Sequence, residues 1–560
     1  MISDEFKSIL DEWQQEYSKR YGETQFELST DSGIPLKPVY TPADIEGISY
    51  REIGMPGIYP YTRGAYPVQY QYQPPMAQHG AGCGLPEHTR EIYDNYRRAQ
   101  PLTSKGREPG YFVICDIATN HGLDPDDPLA RGWVGVCGVT ASTVKDFEIL
   151  FKGLPLDRIH TVLSTYDASA AWLAMYIVCA EKFGYPVDQL HGLSINAIDH
   201  QIHCDHPSGT AKDTMKLIAE HIKFCTRNMP YWTPIRVSGY GFEESGANSI
   251  QELAFALALW IAITEECIVA GLQPDDFIPR LNIFLGFGND FFEQIAKLRA
   301  LRKMWAKITT ERFGCKNPRS IRPIVAVQTA GSTFTAKQPM NNLLRAGFQT
   351  LAATLAGVNV IWTTPYDEAI GIHSEEAASL AFRTQQIILH ETNISNVTDP
   401  LGGSYFLESL TAKLEEEATK LLEDIDRMGF EKAWETGWFR RETERAAFEH
   451  RKKVESGEKT VVGVNKYVSD EKTKVMTIKA DPNTEEIAIQ RIKQFKAERD
   501  NAGTKAALNR LKDLATRVRE EWPKGGDLQP GAIEAVRAGA TMGEVTQIIK
   551  DAFDFHHRYY

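Results

Sequence analysis

The run Ser238 to Ala247 reads SGYGFEESGA. Ser238, Tyr240 and Glu243 give it the polarity of a site, a hydroxyl, a phenol and a carboxylate able to orient a substrate. Gly241, at its centre, has no side chain. A second cluster is His200-Gln201-Ile202-His203-Cys204-Asp205-His206. Imidazole and carboxylate are metal ligands, and histidines three apart share a helix face. The competing reading is a polar loop with hydrogen-bonded or solvated histidines. No second ligand cluster accompanies it, and no metal is expected. There is no Ser-His-Asp order with a nucleophile elbow and no Walker loop; Gly331 and Gly402-Gly403 are isolated turn glycines.

The elements around these residues follow a rhythm from about residue 108 to 405. Short β-branched or aromatic runs occur at 111–117, 159–166, 190–195, 235–241, 278–288, 321–328, 358–364 and 394–400. Helix-like stretches, such as 208–228, 248–272, 289–313 and 338–356, separate most of them. Eight strands alternating with helices predict an α/β fold, a (β/α)8 TIM barrel, over an open doubly wound sheet. Polar groups at the carboxyl ends of its strands then form the site. Those ends carry Asp116, Thr119, Ser164, Thr165, Tyr166, Asn196, Ser238, Tyr240, Gln328, Thr329, Thr363, Thr364, Asp367, Glu368 and Asp399.

Residues 1–65 read as an N-terminal arm for subunit contact, 66–405 as the barrel, and 406–560 as a C-terminal helical region. Within the arm, Phe6, Ile9, Leu10, Trp13 and Tyr17 fall near helical spacing. That helix either packs on its own domain or binds a partner. Residues 23–65 read as an extended wrapping segment, 460–468 as a short strand-like run, and 523–530 as a linker before a final helix.

The 560 residues carry a net charge of −12 with no dense basic run, which argues against nucleic acid. The 8 cysteines are scattered without a CxxC pair, as expected of reduced thiols in a cytoplasm. The apolar run 255–272 is broken by Glu265 and Glu266 and reads as a buried helix, so no membrane is expected.

Nearly the whole chain resembles the large subunits of adenosylcobalamin-dependent acyl-CoA mutases, the family of methylmalonyl-CoA mutase and 2-hydroxyisobutyryl-CoA mutase. The carriers include PGIYPYTRGAYPVQY (56–70), DPDDPLARGWVGVCGV (124–139), SGYGFEESGA, VQTAGSTFT (327–335), TTPYDEAIGI (363–372) and TDPLGGSYFLESLT (398–411). The resemblance implies a barrel threaded by the pantetheine tail, with adenosylcobalamin across its mouth. The cofactor supplies the radical; the protein positions substrate and excludes water. Gln328, Glu368 and Thr364 match the adenosine side, and Tyr240 the tyrosine beside the corrin. Tyr66, Arg280, Ser164, Asn282 and Asn359 match positions along CoA. The family's DxHxxG cobalamin-binding motif has no full counterpart, since Asp554 to Tyr559 lacks its glycine. A separate small cobalamin-binding subunit is therefore implied, in a heterodimer or a dimer of heterodimers.

The acyl site departs from the family. Gly241 stands for a histidine near the thioester carbonyl, Gly80 for a substrate-facing tyrosine, and Asp205 for the arginine that clamps the carboxylate of methylmalonyl-CoA. Ile195 replaces a glutamine near the same carbonyl, and Cys115 a phenylalanine or aspartate. Gln73 and Gln78 replace two arginines that help hold CoA. An arginine–carboxylate bond contributes about 1.5–3 kcal/mol, and an aspartate there adds like-charge repulsion. The expected substrate is an acyl-CoA other than methylmalonyl-CoA, bulkier or differently shaped and without a free carboxylate. Asn196 is a replacement donor to the carbonyl. The competing functions are a metal-dependent hydrolase or lyase using His200–His206, and a non-catalytic mutase relative.

Overall fold

Parallel strands form at seven of the eight expected runs in the computed structural model, which describes residues 4–22, 28–99, 110–196, 198–203, 209–469, 475 and 477–555. The strands are β1 (Met76–Ala77 and Gly80–Ala81), β2 (Tyr111–Ile114), β3 (Thr161–Thr165), β4 (Gly192–Asn196), β5 (Trp232–Thr233 and Arg236–Ser238), β6 (Asn282–Phe287), β7 (Ile324–Thr329) and β8 (Val360–Trp362). Two of them are each shared between two neighbours. Met76 and Ala77 of β1 pair with β8, while Gly80 and Ala81 pair with β2. Trp232 and Thr233 of β5 pair with β4, while Arg236 to Ser238 pair with β6. The chain itself carries the sheet across both joins, so the ring of strands closes.

The eighth run does not form a strand. Residues Ile394–Asn396 are a 3₁₀ turn, flanked by Asn393 and Asp399 with φ of 59° and 48°. Left-handed backbone on either side breaks the pleat despite the β-branched residues. Its place is taken by β1, from a segment without an apolar run. Gly80 and Gly82 hide it from pattern reading, although neighbours approach too closely for larger residues there: a Cβ on Gly82 would lie 2.1 Å from the Ile114 carbonyl oxygen, and one on Gly80 would meet the Ile114 side chain.

Side chains alternate between lumen and shell. Phe112, Val162, Leu193 and Trp362 cluster in the lumen with Ile114 and Ile195, and Phe284, Ala326 and Val360 with Met76 and Tyr240. Outward residues such as Val113, Leu163, Val237, Ile283 and Val325 pack beneath the helices. The helix Ser249–Val269 starts at a capping box between Asn248 and Gln251 and is apolar nearly all round because it is buried. Among the described residues no single helix is long and apolar enough to span a membrane.

The C-terminal helices complete the shell. Tyr405–Met428 lies against Ser249–Val269 and Phe291–Glu311, and Leu528–Arg537 lies against Ser169–Lys182. Where one final helix is expected, two form: Leu528–Arg537, which begins inside the expected linker, and Met542–Ala552. Residues 460–468 form a turn closed by a bridge between Val462 and Lys466, with no strand. At the other end, the helix Asp4–Tyr21 buries no residue, so it is not packed into this chain's own core. The segment after it does wrap the barrel: the Ser32 N–H and Oγ donate to Glu293 at 3.0 and 2.8 Å.

Arg299, on Phe291–Glu311, joins these layers. Its Nη1 donates to both oxygens of Asp399 at 2.8 Å, and its Nη2 donates to Glu408 at 2.5 Å. Arg63 of the wrapping segment meets the same Asp399 at 2.8 Å. Replacing Arg299 by alanine leaves the buried Glu408 carboxylate without its cation and Asp399 with Arg63 alone. We expect it to lower stability by about 3–5 kcal/mol, read as a shift of the urea midpoint.

Candidate active site

The carboxyl ends of β5, β7 and β8 converge on one rim. Gln328, near the end of β7, is 7% exposed and donates from Nε2 to Thr364 Oγ1 at 3.3 Å. Thr364 is locked in turn, because its Oγ1 donates to the Thr329 carbonyl at 2.6 Å and its N–H donates to Thr329 Oγ1 at 2.7 Å. Glu368 follows on the turn after β8. His373 bridges two carboxylates there, with Nε2 2.9 Å from Glu368 Oε2 and Nδ1 3.1 Å from Asp367 Oδ1. Burial opposes a charged imidazolium, but the bonds to Asp367 and Glu368 outweigh it and lift His373 to about 9.

Tyr240 opens the short helix Tyr240–Glu244 directly after β5, its ring 5.1 Å from that of Phe284. Glu243 and Glu244 follow on the same helix. Burial and then Glu368 push Glu244 up to about 7, and burial with Glu244 and Glu252 nearby pushes Glu243 well above the carboxylate range. Burial and then Glu244 hold the Tyr240 phenol protonated. Glycines make room for these acids. A Cβ on Gly286 would lie 2.6 Å from Glu243 Oε2, and one on Gly331 3.1 Å from Glu368 Cγ and 3.3 Å from Glu244 Oε2. Glu252 is neutralised by Lys297, both side chains fully buried.

The acyl-site positions lie in different surroundings. The N–H of Gly241 donates to Asp199 Oδ2 at 3.0 Å, and the Ser238 hydroxyl donates to the same oxygen at 2.8 Å. Asp199 thus braces the turn at Gly241. Gly80 does not open a cavity: a Cβ there would lie 2.6 Å from Ile114 Cδ1 and 2.8 Å from Trp362 Cη2. Trp362 and Ile114 fill that space, which corrects the expectation of an enlarged pocket at this position. Cys115 packs in the shell cluster with Val139 and Val144, and its thiol lies 2.8 Å from Asn120 Oδ1. Burial raises that thiol well above its ordinary range. Asn196 ends β4 opposite Thr165, and Ile195 faces the lumen. Asp205 lies outside the described residues, as do Cys204 and His206 of the histidine cluster. Among the described residues no group of three metal-ligating side chains is found.

The expected CoA positions divide. Arg280, just before β6, donates to the carbonyls of Cys225 and Met229 at 3.3 and 3.2 Å and lines a cavity of about 550 Å³ with Arg227, Arg319, Asp275 and Asp276. Tyr66 lies under the Arg322 guanidinium, 4.6 Å from its ring centre. Both sit at the amino ends of the strands. Asn359 uses its Oδ1 to accept the Val325 N–H at 2.9 Å, tying β7 to β8. Ser164 is on β3 and Gln73 is exposed just after a turn. Gln78 and Asn282 both bond Arg236, a residue the sequence reading passed over. The signal was available, because Arg236 shares strand parity with Ser238. Glu244 stood beside Glu243 in the quoted run. His373 and Asp199 lie outside the strand runs and give no periodic signal.

Comparison with known proteins bears on the whole chain. The family model described as methylmalonyl-CoA mutase matches residues 29–555. The 2-hydroxyisobutanoyl-CoA mutase large subunit of Aquincola tertiaricarbonis is 35% identical over 537 residues, covering 95% of this chain and 93% of that protein. Methylmalonyl-CoA mutase of Escherichia coli (strain K12) is 35% identical over 557 residues, covering 98% and 76%. The mitochondrial methylmalonyl-CoA mutase of Mus musculus is 34% identical over 531 residues, covering 94% and 69%.

Two predictions follow the rim and the lumen. His373 is raised from 6.5 to about 9, so its bonds stabilise the fold fully below about pH 6.5 and are lost as pH rises through about 9. The melting-temperature gap between the wild type and His373→Gln is expected to be widest below pH 6.5 and to close above 9. Gly80→Ala overpacks the lumen and costs about 1–3 kcal/mol. Trp362→Phe is expected to recover part of that loss, a coupling measurable in a double-mutant cycle.

Proposed function

The chain belongs to the methylmalonyl-CoA mutase family, whose members are adenosylcobalamin-dependent isomerases, and from that premise we propose that it is the large subunit of a carbon-skeleton mutase acting on an acyl-CoA other than methylmalonyl-CoA. The observation that carries the reading is the rim at which Tyr240, Glu244, Gln328, Thr364 and Glu368 meet.

That rim suits an adenosyl group. Glu244 Oε1 is buried and has no partner, and the glycine at 331 leaves space between Glu244 and Glu368. Carboxylates so placed accept hydrogen bonds from sugar hydroxyls, and the Gln328 amide, held by Thr364, offers a donor and an acceptor. When bound, adenosylcobalamin supplies the carbon radical that removes a substrate hydrogen. The chain's own part is to hold and shield. His373 fixes the Glu368 carboxylate, the protonated Tyr240 phenol closes the acyl side, and the apolar lumen cluster of Phe112, Val162, Leu193 and Trp362 excludes water.

Arg227, Arg280 and Arg319 suit the phosphates of CoA at the opposite end, with Tyr66 and Ser164 along the path. Arginines at that cavity compensate for Gln73 and Gln78. The acyl group differs from methylmalonyl because Gly241, Ile195 and Asp205 depart from the residues that hold the methylmalonyl group; Gly80 is filled by its neighbours and Cys115 lies in the shell, so neither contributes. The relative named as a large subunit supports a small cobalamin-binding partner. We assign the exposed helix Asp4–Tyr21, with Ile9 57% and Trp13 40% exposed, to that contact. Cytoplasmic location fits the reduced, mostly buried cysteines.

Reconstitution with a small DxHxxG subunit and adenosylcobalamin tests the reading. A cob(II)alamin signal is expected on adding the right acyl-CoA and not on adding methylmalonyl-CoA. Glu368→Gln should reduce turnover by at least tenfold, roughly the loss of one charge-assisted hydrogen bond. Absence of the signal with every acyl-CoA, despite bound cofactor, would overturn the proposal.

A further inference from the structure

Arg236 is 1% exposed and points into the barrel from β5. Its Nη2 donates to Gln78 Oε1 at 3.0 Å and its Nε to Asn282 Oδ1 at 3.3 Å. Gln78 belongs to β1. In a ring of eight strands β1 and β5 are opposite, so this hydrogen bond crosses the lumen.

Two donors of this pair are left over. Arg236 Nη1 and Gln78 Nε2 are both buried without a partner. Among the described residues no carboxylate forms an ion pair with Arg236. Burial alone pulls its guanidinium down to about 9, so it keeps its charge at neutral pH. A buried cation with no counter-charge is costly, and native folds retain one only where something compensates it. The Phe284 ring, 4.8 Å from the guanidinium carbon, offers a partial compensation. An oxyanion offers a full one, because a carboxylate presents two acceptor oxygens to two convergent donors.

We propose that Arg236 and Gln78 bind a carboxylate on the acyl group of the substrate. The inference rests on the acyl-CoA reading above. It reverses the expectation that no free carboxylate is present, since the family's arginine is replaced from a different strand. Position favours the acyl carboxylate over a CoA phosphate as the oxyanion. The phosphates have the cavity of Arg227, Arg280 and Arg319 at the amino ends of the strands. In register Arg236 is level with Asn282, the first residue of β6, and its guanidinium reaches toward the rim: it lies 4.8 Å from the Phe284 ring, whose centre is 5.1 Å from that of Tyr240. Because Arg236 contacts the substrate in this role, its removal changes which acyl group is preferred.

The test compares binding of succinyl-, glutaryl- and adipyl-CoA with butyryl-, valeryl- and hexanoyl-CoA and with free CoA, using the full chain with its cobalamin-binding partner. The wild type should prefer one carboxyacyl thioester over its uncharged analogue by at least tenfold. Arg236→Met should abolish that preference and leave free CoA affinity within twofold. Arg236→Met should also fold, with an unchanged or raised melting temperature, since it removes an unpaired buried charge. Wild-type binding of thioesters without a charge preference overturns the carboxylate assignment alone. An equal loss for charged thioesters, uncharged thioesters and free CoA in Arg236→Met assigns Arg236 to the CoA phosphates instead and also overturns it. Failure of the wild type to bind free CoA and every thioester would remove the acyl-CoA reading itself.

Discussion

Closure of the sheet is the constraint from which the rest follows. An eight-stranded ring has no edge, and each strand gives alternate residues to one narrow lumen. Closure here depends on two strands that change neighbour part-way along, β1 and β5. They lie opposite each other, and the residues between their two halves must be carried without a partner ladder on one side. The same two strands supply Gln78 and Arg236. The joints of the ring and the bridge across its lumen are therefore built from the same chain segments.

A closed lumen also makes its side chains interdependent. Gly80 is accommodated by Trp362 and Ile114, and Gly286 by Glu243. A small residue on one strand is the space for a large one on another, which is why a glycine read in isolation misleads. Gly80 suggested a void because the sequence does not show which side chain leans over it. The rim obeys a related electrostatic rule. Glu243, Glu244, Glu252 and Glu368 are gathered with Lys297 and His373 as the nearby cations. Crowded acids in a low-dielectric site cannot all ionise, so burial and mutual repulsion leave some protonated and able to donate.

Seven strands and the helices between them were legible because period-two and period-3.6 patterns report burial directly. The strand β1 was not, since its glycines carry no hydrophobicity and Pro74 and Pro75 precede it. The 394–400 run failed for the opposite reason: its β-branched residues look like a strand, while Asn393 and Asp399 adopt left-handed backbone. Gln328, Thr364, Glu368 and Tyr240 could be placed at the rim from the sequence because strand ends define a barrel mouth. His373, which holds Glu368, and Asp199, which holds Ser238 and Gly241, could not, because a loop or short-helix residue has no fixed phase relative to the lumen. The chain's family was legible from long motifs, whereas the occupancy of the lumen required three dimensions.

The division between lumen and shell separates the positions that hold the fold from those that face the ligand space. On β5, Ile235 and Val237 face the shell and are held by the helix cluster around Ser249–Val269. Arg236 and Ser238 face inward and are free of that packing duty. Substitution at inward positions changes what the barrel receives without moving a helix, while substitution at outward positions alters the shared core. Gly241, Gly80, Ile195 and Arg236 lie on the inward side or at its rim. The bracing of Gly241 by Asp199 is consistent with this division: the turn keeps its course through a backbone hydrogen bond, so the side chain at that place is dispensable to the fold and available to the chemistry.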